Sequence, residues 1–141
     1  MKTALKMALL LLPLMIVPHR SSAMMGIAAL TKEQAQAMGI TVRSEKNGEA
    51  GVLLWLEFKA SGKFATFRRV ELQVGEGEGR IVSAALMPER PSPGSIAVHF
   101  SAYPAYLDKS TLTIVVTGAN PRGGEGYELK VKDFIDLTKY R

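Results

Sequence analysis

The stretch Val98–Lys109 (VHFSAYPAYLDK) gathers a histidine, a serine, an aspartate and two of the four tyrosines of the chain. His99, Ser101 and Asp108 are the residue types of a nucleophilic device. In such a device an imidazole takes the proton of a hydroxyl while a carboxylate orients the ring. Closeness along a strand does not bring such groups into contact, and no G-x-S-x-G elbow is present to expose a serine. His99 is the one histidine after residue 23, short of the two or three that a zinc or copper site uses. With Ile96, Val98 and Phe100 turned inward, alternation puts His99 and Ser101 on the outer face of a strand. An exposed strand histidine is the expectation.

Trp55, Tyr103 and Tyr106, with His99 near them in sequence or pattern, are the side chains best suited to touch a ligand. An exposed aromatic ring offers rigid apolar area with a polar handle, which suits a sugar or a partner side chain. Packing roles compete: Trp55 as a core ring, and Tyr103-Pro104 with Tyr106-Leu107 as a plug over one end of the fold. The plug is the expected role for the tyrosines. Glu76 and Glu78 in "GEGEG" do not match a calcium loop, which supplies six to eight oxygens in a fixed pattern. Asp133 and Asp136 read as solvating the last strand rather than as a pair set across a cleft. Met24 and Met25 with His99 would be a sparse set for a periplasmic copper carrier, the most remote of the functions weighed.

The elements that must position these residues are short. Thr31–Gly39 reads as a two-turn helix, with Thr31 as cap, Gln34 completing a capping box and Gly39 ending it. From Ile40 the hydrophobic period changes from helix to strand. Strands are expected at Ile40–Arg43, Val52–Lys59, Phe64–Val74, Arg80–Met87, Ser95–Ser101, Thr111–Thr117 and Gly126–Ile135. In Val52–Lys59 one face is Val52, Leu54, Leu56 and Phe58, while Leu53 and Trp55 predict a covered second face. Turns fall at Gly48–Gly51, Ser61–Lys63 and Gly75–Gly79, in the proline-rich Pro88–Gly94, and at Gly118–Gly126. About seven short strands with no crossover helix predict an all-β chain, an antiparallel β-sandwich that is immunoglobulin-like in the broad sense. A small β-barrel is the alternative.

The N-terminus reads as an export signal. Lys2 and Lys6 precede the apolar run Met7–Val17, and Ser21-Ser22-Ala23 offers a cleavage site after Ala23. That run is shorter than the roughly 20 apolar residues of a membrane-spanning helix. An uncleaved anchor would place Pro18, His19 and Arg20 in hydrocarbon, where charge is costly. A start at Met24 or Met25 would instead leave a cytoplasmic chain. With residues 1–23 removed, residues 24–141 form one domain carrying 15 basic and 13 acidic residues. The net charge of +5 thus falls to +2, and the scattered basic residues argue against nucleic acid as a partner. No cysteine is present, which excludes thiol catalysis and disulfides, so the core alone must hold the domain.

These observations predict a secreted or periplasmic, non-catalytic interaction or structural module with no cofactor. Its partner would be an envelope protein or, in the alternative reading, a small ligand or carbohydrate held by the aromatics. No stable membrane span is expected after cleavage.

Overall fold

The computed structural model describes residues 26–75, 82–118 and 124–141. In chain order they form β1 (Gly26–Ala29), α1 (Lys32–Ala37), β2 (Thr41–Asn47), β3 (Gly51–Lys59), β4 (Phe67–Val74), β5 (Val82–Leu86), β6 (Ser95–Ala102), α2 (Pro104–Leu107), β7 (Ser110–Val116) and β8 (Glu125–Lys130). Single 3-10 turns lie at Gly62–Phe64, Val131–Asp133 and Leu137–Tyr140. The expected signal peptide, Met24, Met25, Glu76 and Glu78 lie outside the described residues.

The strands form a five-stranded sheet in the order β1-β8-β7-β4-β5 and a three-stranded sheet in the order β2-β3-β6. Period-2 alternation gives each central strand one apolar face. Leu54, Leu56 and Phe58 of β3 and Ile96 and Val98 of β6 thereby join Val70 and Leu72 of β4, Leu112 and Ile114 of β7 and Leu129 of β8 in one buried core. The described residues are therefore mostly β, with two short helices and two sheets that share a core in a sandwich-like arrangement. The sheets do not close into a barrel, so the barrel alternative falls.

Several expectations are corrected. One pairing is parallel: β1 lies beside β8 with Gly26 opposite Glu125 and Ala29 opposite Glu128. Strands joined by a hairpin must run antiparallel, but nearly the whole domain separates these two, and either direction is open to them. β2 continues to Asn47 although Ser44–Asn47 is polar, because β3 offers it a full ladder from Glu57 to Gly51. Phe64 is not a strand residue. Gly62, at φ 57°, turns the chain into a 3-10 turn that drops Phe64 into the core, 5.0 Å from the Phe58 ring and 5.4 Å from that of Tyr127. The last strand stops at Lys130, and Val131 reaches the core from a 3-10 turn.

Other local readings hold. Thr31 and Gln34 form the reciprocal capping box of α1, at 3.2 and 2.9 Å, and Gly39 turns at φ 78°. Val70, Leu72 and Val74 are buried, while Arg69, Glu71 and Gln73 are partly exposed on the other face.

Candidate functional site

The outer face of the three-stranded sheet carries the first group of candidates. Register sets Arg43 of β2 opposite Trp55 of β3, and Trp55 opposite His99 of β6. The Arg43 guanidinium carbon stands 4.7 Å from the Trp55 ring centroid, and the His99 ring lies 4.6 Å from it, tilted by 40°. Among the described residues no second layer covers Trp55, although the apolar second face of β3 suggested one. Its neighbours in the same sheet cover it instead, and the ring is half-buried between them. The indole Nε1–H is buried without a hydrogen-bond partner among the described residues. Such an orphan donor costs about 1–3 kcal/mol.

His99 is exposed on the outer face, as alternation requires, but it has a partner. Its Nε2 lies 2.9 Å from a carboxylate oxygen of Glu89. Glu89 is held there by two backbone hydrogen bonds with Ala97, at 2.7 and 2.9 Å, which add a bridge to the outer edge of β6. Ser101 points the same way as His99 but is engaged elsewhere: Asn47 Nδ2 donates to its hydroxyl, which lies 3.4 Å from the Val52 carbonyl. Among the described residues no hydrogen bond joins His99 to Ser101 or Asp108, and no three histidine, aspartate or glutamate side chains are placed to hold a metal ion.

The second group stands at the end of the same sheet. Gly48-Glu49-Ala50 connects β2 to β3, and β6 runs into α2 alongside. Between them lies an open cleft of about 760 Å³, lined by Asn47, Glu49, Gly51, Ser101, Tyr103 and Tyr106 among others. Pro104 occupies the first helical position of α2, where its missing N–H costs nothing. The turn anchors itself through the buried Leu107, and Ser110 Oγ donates to the Tyr106 carbonyl at 2.7 Å. Anchoring on Leu107 leaves Tyr103 and Tyr106 outside, 58% and 48% exposed, with ring centroids 6.4 Å apart at 38°. The plug is therefore overturned: the tyrosines flank a cleft rather than cover the core.

Trp55 and His99 do not line this cleft. They sit about 7 Å up the sheet from Ser101 in its lining, since His99 is two residues along β6 from Ser101, Trp55 pairs with His99, and a strand rises about 3.4 Å per residue. The structure thus splits the four sequence candidates into an aromatic–basic row and a tyrosine cleft. Sequence reading passed over the cleft wall, Asn47 to Gly51. Its one signal was the glycine pair Gly48 and Gly51, which spoke only of a turn. Asp133 and Asp136 form no pair across a cleft. Asp136 caps the turn Leu137–Tyr140, and the Thr138 hydroxyl and N–H hold its carboxyl below the usual carboxylate range. Burial, with the Glu125 carboxylate beside it, pushes the Tyr127 phenol above its usual value of 10.0.

No protein family, curated protein or solved structure matches this chain.

Proposed function

We propose that the chain is an exported, non-catalytic binding module, immunoglobulin-like in the broad sense, whose ligand lies in the cleft beside Tyr103 and Tyr106. The observation that carries this reading is the exposure of two adjacent rings at an open cleft. Burying an aromatic side chain stabilises a fold by about 1.5–3 kcal/mol, and this sequence leaves two such rings in water side by side. Adjacent exposed apolar surface rimmed by polar groups marks recognition sites. The rim here is Asn47, Glu49 and Ser101, which can exchange hydrogen bonds with hydroxyls. Flat apolar rings and such a rim suit a saccharide, whose C–H face stacks while its hydroxyl edge bonds. The test is amide chemical-shift mapping with a panel of oligosaccharides. Shifts are expected at Asn47, Ser101, Tyr103 and Tyr106, and their loss in the Y103A/Y106A variant. A panel that moves none of these amides, or a double variant that binds like the parent, refutes the reading.

A second reading, an envelope protein partner, is favoured by β5. It ends the five-stranded sheet, pairs among the described residues only with β4, and its sequence VSAAL carries no charge or proline. Natural edges are usually blunted by such residues, and an unblunted one can accept a partner's strand. The β2 edge by contrast carries Arg43, Glu45 and Lys46, and the β6 edge takes the Glu89 bridge. Ala84→Lys would abolish a complex formed through β5 and leave the tyrosine cleft unaffected.

A further inference from the structure

Glu49, Ala50 and Gly51 form a wall shared by two hollows. On one side stand Tyr103 and Tyr106. On the other a hollow of about 240 Å³ is lined by Lys46, Lys139 and Arg141. The three cations come from opposite ends of the domain sequence and are brought together by the last turn. Leu137 is buried, Asp136 accepts from the Thr138 N–H at 3.0 Å, and the Tyr140 hydroxyl lies 2.8 Å from Ser44 Oγ on β2. Ser44 is two residues from Lys46, so that hydrogen bond sets Lys139 and Arg141 beside it. The same turn packs against α2, which carries Tyr106, and this ties the two hollows to one another.

Like charges held together repel, and a fold normally relieves this with carboxylates. Among the described residues none of these three cations has a carboxylate oxygen within 4.0 Å, although Glu49 lines the same hollow. The hollow therefore gathers three exposed cations around one lining carboxylate, Glu49, next to a site for a flat ring, with Asp136 acting on Lys139 only at longer range. We infer that the ligand is an anionic saccharide. Its ring lies on Tyr103 and Tyr106, and its carboxylate, sulfate or phosphate group crosses the wall to Lys46, Lys139 and Arg141. This inference rests on the saccharide reading of the cleft and adds the charge of the ligand.

Isothermal titration with paired oligosaccharides of equal length, neutral and bearing uronate, sulfate or phosphate, separates the two claims. The expected result is that the acidic members bind more tightly and that 0.5 M salt weakens them. The variant K46Q/K139Q/R141Q should bind them roughly tenfold more weakly, as the loss of several exposed charge pairs implies. Its thermal midpoint should match the parent's, since all three side chains are at the surface. Equal binding of neutral and acidic members, lost in Y103A/Y106A and unchanged in the charge variant, overturns the anionic ligand and leaves the cleft reading standing. Binding of no saccharide overturns both. Retention of a single-stranded oligonucleotide with no acidic saccharide bound also overturns the inference, in favour of nucleic acid.

Discussion

Gly48 and Gly51 belong to the same hairpin, and Gly51 to the wall of the cleft, but they are glycines for different reasons, and this can be measured. Gly48 has φ 72° and open space around its missing side chain. An alanine there meets only the left-handed penalty of about 1–2 kcal/mol. The lower entropy of the unfolded alanine chain offsets about 0.4–1 kcal/mol of that. The net cost of Gly48→Ala is about 0.5–1 kcal/mol. Gly51 has no such φ, yet a Cβ placed on it would lie 2.6 Å from the Asn47 carbonyl oxygen, where ordinary contact begins at 3.4 Å. The obstacle is backbone and cannot rotate away. The Asn47–Gly51 pair that closes the hairpin must spread by about 0.8 Å, the difference between those two distances. Overpacking relieved by backbone movement costs about 1–3 kcal/mol, so Gly51→Ala should cost about 2 kcal/mol. A domain of this size unfolds with an entropy of about 0.25 kcal/mol per kelvin. Gly51→Ala should therefore lower Tm by about 8 °C and Gly48→Ala by about 2–4 °C. Differential scanning calorimetry of both variants tests the order. Amide shifts at Tyr103 and Ser101 should move in Gly51→Ala, because the wall moves. If Gly51→Ala melts at or above Gly48→Ala, the close approach does not limit the hairpin and the geometry assigned to the wall is wrong.

The row on the outer face gives a second expectation. A double-mutant cycle with Arg43→Ala and Trp55→Leu, read by urea denaturation, should show coupling of about 0.5–1 kcal/mol, the scale of a partly exposed cation–π contact. Zero coupling would mean that Arg43 only shields the ring. The buried phenol gives a third, at alkaline pH. Because the folded-state pKa of Tyr127 is raised above 10.0, its contribution is fully present below pH 10.0 and is lost as pH rises through the folded value. Tyr127→Phe should flatten the alkaline limb of Tm against pH, and an unchanged limb would contradict the burial of the hydroxyl.

Much of the local structure was legible along the chain. The capping box of α1, the inward faces of β3, β4 and β6, and the outward placement of His99 all follow from spacing, because capping and alternation are properties of neighbouring residues. The candidate site was legible only as residue types. Tyr103 and Tyr106 could have packed or bound, and nothing in PAYL chooses between the two. The buried Leu107 and the Ser110 hydrogen bond decide it.

What the amino-acid order alone determined was therefore the mostly β class, most strand positions, the lack of thiol chemistry and the small charge of residues 24–141. Each rests on composition or on the two-residue period of a strand. The tertiary structure decided the parallel β1–β8 pair, the cover of Trp55 by Arg43 and His99, the exposure of the two tyrosines and the gathering of Lys46 with Lys139 and Arg141. Every one of these joins residues far apart in the chain, or sets which of two faces meets water. Register and packing determine such relations, and no local pattern encodes them.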